Sequence, residues 1–231
     1  MNKIKTAVVG TGIYGRHHIN AYLNNPDVEL VAVCDSDAER CGQAAEEFKR
    51  PGYTRLHALL DEEEVDVISI ATSDPYHKDP ALQAISKGKH VLIEKPLATT
   101  VADCLEIINA AERHGVTVGV DFHKRWDPAV IRVRMETQLP ATGRIIRGYI
   151  SMDDVIAVPT TWLGWSAQSS PVWFLGSHCF DLVRYLSGQE VKSVYAVGQK
   201  RLLATRGIDT RDSVQSTLLM EDGSSWVVEN G

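Results

Sequence analysis

Through residues 4–120, short apolar runs alternate with longer segments of helical period. The runs are Thr6 to Val9, Glu29 to Cys34, Val67 to Ala71, His90 to Ile93 and Val116 to Val120. Each is rich in Val and Ile and lacks the polar alternation of a half-solvated strand. The pattern therefore predicts at least five parallel strands with helices on both faces. Between them, Asp79 is expected to cap a helix with Pro80 at its first position and Gly88 just past its end. The next helix is predicted from Thr100, in capping-box spacing with Asp103, to Gly115. In that helix Leu105, Ile108 and Ala111 recur at helical spacing and are expected to face the sheet.

After about Asp121 the pattern changes. A helix is predicted over Pro128 to Gln138, then a strand at Arg144 to Met152, an irregular stretch rich in Trp, Ser and Pro, and a helix near Ser177 to Leu186. Three strand-like runs follow without a helix between them, at Val191 to Val197, Val214 to Met220 and Ser225 to Glu229, with Glu221, Asp222 and Gly223 as a hairpin turn. The reading is an α/β chain: a doubly wound parallel-sheet domain over 1–122 and an α+β domain over 123–231 on a largely antiparallel sheet. The last run ends two residues before the chain does, so the second sheet reads as incomplete. Its open edge suggests a homo-oligomer formed through that sheet.

Composition narrows the function classes. The net charge of -6 argues against a general affinity for nucleic acid or an anionic membrane, and no run of 18 apolar residues predicts a membrane span. Cys34, Cys41, Cys104 and Cys179 form neither a C-x-x-C pair nor a zinc spacing, so no metal is expected and a reducing, cytoplasmic compartment is favoured.

Gly10, Gly12 and Gly15 spell G-x-G-x-x-G between the first predicted strand and a helix beginning near Tyr14. The first glycine permits the tight turn, the second lets the backbone approach a pyrophosphate, and the third lets helix and strand pack closely. The N–H groups of Ile13 and Tyr14 would face phosphate from the positive end of the helix. Asp35 lies 20 residues beyond Gly15 at the end of the second strand, where a carboxylate can accept hydrogen bonds from ribose hydroxyls. With Asp37 adding negative charge and no Arg judged to follow closely, NAD is favoured over NADP.

Gly88 to Leu97, G-K-H-V-L-I-E-K-P-L, together with the glycine turn, resembles the Gfo/Idh/MocA family of glucose-fructose oxidoreductase, inositol dehydrogenase and rhizopine-catabolism proteins. His18 and His77 stand at the family's spacing, Val118 to Pro128 is similar to its domain junction, and Gly176 to Gly188 to its second-domain helix. Members usually run about a hundred residues longer. The resemblance implies an NAD-dependent dehydrogenase of a sugar, polyol or related hydroxy compound, with Thr72, His77, Glu94 and Lys95 at the cofactor. Lys95, closing a parallel strand, is the expected proton acceptor; burial and a cationic nicotinamide both favour a neutral amine.

His178, placed at a helix start where an imidazolium is disfavoured, is the second expected proton group. The family commonly has an Asp four residues before it, but here position 174 is Phe. Either Lys95 and His178 suffice, or Asp121, Asp153 or Asp181 takes the role, or catalysis is compromised. Arg125, with Lys124 and His123, and Trp162 with Trp165 are weaker assignments for contact with a hydroxyl-rich substrate. A non-catalytic NAD-binding sensor or regulator, and an enzyme using bound NAD internally in an eliminase or glycosidase cycle, stay open beside the dehydrogenase.

Overall fold

The computed structural model describes residues 3–231 and divides into two units, one through Asp121 and the other Phe122–Gly231. The first holds strands β1 (Ile4–Val9), β2 (Val28–Cys34), β3 (Gly52–Tyr53), β4 (Val67–Ile70), β5 (His90–Glu94) and β6 (Val118–Asp121). All pair in parallel, in the order β3-β2-β1-β4-β5-β6. The order reverses between β1 and β4, the switch point outside whose carboxyl strand ends ligands of open α/β sheets bind. The sixth strand, β3, is two residues long and leaves no hydrophobic run to read.

Helices α1 (Ile13–Leu23), α2 (Ala38–Phe48), α3 (Leu56–Glu62), α4 (Lys78–Ser86) and α5 (Val101–His114) connect the strands. Thr100 caps α5 as expected, its Oγ1 accepting the Asp103 N–H at 3.1 Å, and Gly115 ends it at φ +65°. The expected inward face of α5 is corrected. Leu105 and Ile108 are 52% and 42% exposed, while Ile107, Ala110 and Ala111 are buried. Small alanines at 110 and 111 allow close approach beside α4, itself buried through Ala81, Ala84 and Ile85. Asp79 is not a cap either. A 3-10 turn at Asp74–Tyr76 runs almost directly into α4, so the helix opens at Lys78 and Asp79 lies in its first turn.

The second unit holds α6 (Pro128–Thr137), capped by Asp127, then β7 (Arg147–Met152), α7 (Ser177–Ser187), β8 (Val191–Gln199), α8 (Leu202–Thr205), β9 (Ser213–Met220) and β10 (Ser225–Asn230). Its sheet has the order β7-β10-β9-β8, with β8/β9 and β9/β10 antiparallel and β10/β7 parallel. Along β9 the residues Val214, Ser216, Leu218 and Met220 are buried, and Leu218 and Met220 make the core with Trp226, Val228, Cys179 and Val183. The helix α8 between β8 and β9 was not expected. Its cap is remote in sequence: the Asp212 carboxylate accepts the N–H groups of Arg201, Leu202 and Leu203. Among the described residues no helix is long and apolar enough to cross a membrane.

Candidate active site

The glycine turn joins β1 to α1 at the switch point. Gly10 has φ +90°, and a Cβ there would lie 2.6 Å from the Ala71 carbonyl oxygen; a Cβ on Gly15 would lie 1.7 Å from the Gly10 carbonyl oxygen. Both glycines are thus demanded by backbone packing. Gly12 differs. A Cβ there meets no atom of the described residues within 4 Å. The chain leaves space beside Gly12 that packing does not require, as an approaching pyrophosphate does. Helix α1 has no acidic residue in its first turn and no side-chain cap, so its positive end is available to an anion. These residues fit a dinucleotide.

Asp35, at the end of β2, is buried. Its Oδ2 accepts from the Thr11 N–H (2.9 Å), the Thr11 hydroxyl (3.0 Å) and Arg40 Nε (3.3 Å); its Oδ1 accepts from the Asp37 N–H (2.9 Å) and Arg40 Nη2 (2.9 Å). Burial pushes the carboxyl pKa up, but the hydrogen bonds from Arg40, Thr11 and Asp37 together outweigh it and hold the group below the usual Asp value. The expectation that no Arg stands near is corrected. Arg40 lies in the first turn of α2 and folds back on both Asp35 and Asp37. The D-x-x-x-x-R spacing was visible; what hid it was that Asp37 caps α2, turning Arg40 toward β2.

Lys95 follows β5 and is 5% exposed, on a turn whose Lys95–Pro96 peptide is cis. Glu94 Oε2 accepts the Lys95 N–H at 3.2 Å, while Glu94 Oε1 lies 3.0 Å from His18 Nε2. The other His18 nitrogen, Nδ1, lies 2.7 Å from Ser69 Oγ, and its Nε2 is 3.5 Å from Asp121 Oδ2. His77, 1% exposed, has Nδ1 2.7 Å from the Pro96 carbonyl oxygen and Nε2 3.0 Å from that of Thr72. The Thr72 hydroxyl donates to the Tyr76 carbonyl at 3.0 Å. The groups through which Thr72, His77 and Glu94 were expected to meet a cofactor are therefore engaged within the protein, around the turn that carries Lys95.

In the second unit His178 is buried in α7, with its ring edge-on to His123 at 4.6 Å and to Phe122 at 6.3 Å. It is the second residue of α7, but a π-helical turn at Val172–Gly176 runs straight into that helix, so His178 does not face the free helix N-terminus expected of it. Arg125 makes a bidentate pair with the buried Asp181, Nε to Oδ2 at 2.8 Å and Nη2 to Oδ1 at 2.5 Å, and lies over the Tyr185 ring at 5.0 Å. Asp181 is thereby committed to Arg125, Asp153 accepts from the Ser151 hydroxyl at 2.8 Å, and Asp121 belongs to the first unit beside His18. Phe174, at the position where the resemblance led to the expectation of a carboxylate, stands edge-on to Trp165 at 5.9 Å. Trp162, ending a second π-helical turn at Val158–Trp162, is largely exposed.

A parallel sheet with a glycine turn at its switch point and an acid closing β2 defines a dinucleotide-binding Rossmann unit. The profile of the oxidoreductase family with an NAD-binding Rossmann fold, Gfo/Idh/MocA, matches residues 4–122, and that of the GFO/IDH/MocA C-terminal domain matches 133–231; the chain belongs to this family. It is 30% identical to the D-apiose dehydrogenase of Paraburkholderia graminis, over 99% of this chain and 60% of that protein. To the inositol 2-dehydrogenase of Acidothermus cellulolyticus it is 32% identical, over 90% of this chain and 60% of the relative. The chain thus spans about 60% of the length of these curated relatives. The solved WlbA dehydrogenase of Bordetella pertussis, in complex with NADH and UDP-GlcNAcA, shares the fold, with a TM-score of 0.90 at 24% identity over 99% of this chain and 71% of its own.

Proposed function

We propose that the chain is the NAD-binding and proton-handling part of a dehydrogenase that oxidises a CH–OH group of a sugar or polyol. The observation that carries this reading is Lys95: a buried amine on a hydrogen-bonded turn at the carboxyl end of β5, two strands from the glycine turn. The cofactor supplies a hydride acceptor. Gly10, Gly12 and Gly15 with the first N–H groups of α1 hold its pyrophosphate, and Asp35 its adenosine ribose. Lys95 takes the hydroxyl proton of the substrate, without which hydride does not leave the carbon. His178, buried against His123, is the proton-handling group of the second unit. The relatives' names, D-apiose and inositol dehydrogenase, support a polyhydroxylated substrate.

The Asp35 carboxylate favours NAD over NADP by repelling a 2'-phosphate, and Arg40 reduces that preference. Exposed Tyr149, Val194, Tyr195, Val197 and Leu219 on the second sheet support self-association there, and four free thiols support a reducing, cytoplasmic compartment. The test is Lys95→Met assayed with a panel of sugars and polyols at the nicotinamide absorbance. NAD affinity, read by calorimetry, stays near wild type, while turnover falls about a hundredfold or more, the scale of losing a general base. Undiminished turnover in the variant sinks the assignment; a chain that binds NAD yet reduces it with no compound in the panel is a binding protein.

A further inference from the structure

Each chain neighbour of Lys95 is held by a buried histidine from a different element. On one side His18, from α1, sets Nε2 3.0 Å from the Glu94 carboxylate, whose other oxygen accepts the Lys95 N–H. On the other His77, from the segment before α4, sets Nδ1 2.7 Å from the Pro96 carbonyl oxygen and Nε2 3.0 Å from the Thr72 carbonyl oxygen after β4; both partners are acceptors, so both nitrogens must carry a proton for both contacts to be hydrogen bonds. Both rings are more than nine-tenths buried, and each has its second nitrogen anchored to β4 or the loop after it, His18 through Ser69 and His77 through Thr72. The backbone on which Lys95 stands is therefore referenced twice to the β4 edge of the switch point. We infer that His18 and His77 are positioning residues that clamp Glu94 and Pro96 and so fix where the Lys95 side chain starts.

A lysine has four rotatable side-chain bonds, so an error at its Cα is carried to its amine. Misplacing a reacting group by about 1 Å costs roughly a hundredfold in rate. The inference rests on the proposed role of Lys95, and its test has one arm that needs no turnover. An Asn amide nitrogen reproduces His Nδ1 and a Gln amide nitrogen reproduces Nε2. At position 77 it is Nδ1 that holds Pro96; at position 18 it is Nε2 that holds Glu94. The rescue pattern must therefore cross: His77→Asn and His18→Gln keep the clamp, whereas His77→Gln and His18→Asn release it.

Hydrogen exchange of the Lys95 amide, measured by NMR, is expected to speed up by about tenfold or more in the releasing pair and to stay within about threefold of wild type in the keeping pair. Turnover follows the same pattern, kcat falling by roughly a hundredfold in the releasing pair with KM little changed. In a Lys95→Met background the releasing changes cost little further rate, because the group they position is gone. A generic core defect would instead lower both pairs and add to Lys95→Met. If a releasing variant does not fold, the keeping pair still decides: a loss there beyond threefold in exchange protection overturns the inference, as does an uncrossed pattern. A crossed exchange pattern in a protein that turns over no compound upholds the clamp and sinks the dehydrogenase reading. Turnover with no crossing does the reverse.

Discussion

Gly12 and Gly15 are separated by two residues, and alanine at the two positions should fail in different ways. A Cβ on Gly15 falls 1.7 Å from the Gly10 carbonyl oxygen, and the obstacle is backbone that no rotamer change can move. Helix α1 must retreat from β1 by well over an ångström, which opens the packing of Ile19 against Val8 and Val33. Overpacking of this kind costs about 3 kcal/mol or more, equivalent to a Tm drop of at least about 6 °C for a domain of this size. At Gly12 a Cβ meets open space, and φ -68° with ψ -163° is accessible to alanine. Losing a glycine N-cap costs up to about 1 kcal/mol, while the stiffer unfolded chain returns about 0.4–1 kcal/mol, so Tm should stay within about 3 °C. The methyl group would instead stand where the pyrophosphate approaches. Losing one charge-assisted hydrogen bond is worth about 1.5–3 kcal/mol, so NAD affinity should drop roughly tenfold to a hundredfold. Differential scanning calorimetry and isothermal titration on both variants read the two effects separately. A Gly15→Ala protein with wild-type Tm, or a Gly12→Ala protein with wild-type NAD affinity, refutes the division of labour.

Asp35 has a carboxyl pKa held below 3.8, so its stabilising contribution is fully present above that pH and is lost as pH falls through the depressed value. The urea midpoints of wild type and Asp35→Asn should accordingly differ at neutral pH and converge below about pH 3.8; a constant gap would show that the ionised form is not what matters. Arg40→Ala removes the guanidinium that offsets Asp35 and Asp37, and NADP affinity should fall about tenfold or more while NAD changes less, as parallel titrations of the two cofactors will read. Arg125→Met leaves the buried Asp181 carboxylate without its bidentate partner and should destabilise the second unit by about 1–3 kcal/mol; faster hydrogen exchange along α7, with the first unit unchanged, is the expected signature.

The Rossmann unit was legible because its signals are local. Val- and Ile-rich runs mark strands buried on both faces, and G-x-G-x-x-G marks a turn whose first and third glycines are required by contacts within six residues of chain or with the next strand over. What sequence reading missed depends on atoms brought from far away. The cap of α8 is Asp212, seven residues beyond the helix end, and the inward face of α5 is Ile107 with the small Ala110 and Ala111 rather than Leu105 and Ile108. The same limit applies at the site. Lys95 was found from its place after a strand and from the family resemblance, but the functions of His18 and His77 rest on partners 76 and 19 residues away, which no spacing rule connects. His178 was found for a reason that does not survive, since a π-helical turn runs straight into the helix it was expected to start.

Buried polarity in the first unit is concentrated rather than dispersed. Thr11, Asp35, Asp74, His77, Glu94 and Lys95 follow or close the carboxyl ends of β1, β2, β4 and β5, and His18 reaches the same edge from α1; apart from Thr6, Ser69, Cys34 and Cys41, the remaining core is Val, Ile, Leu and Ala. Burying such groups costs free energy unless every one is hydrogen-bonded, and apolar residues of equal volume generally stabilise a core at least as well. A fold under selection for stability alone would have no reason to place two histidines, three carboxylates and a lysine within one rim. Their hydrogen bonds also join one another or the backbone of the same turns, so each residue limits the movement of the next. The sheet would survive replacement of this set by aliphatic side chains better than the loss of Ile68 or Ile93. The polar rim is therefore what the proposed role of Lys95 requires, with the apolar core beneath it holding that rim still.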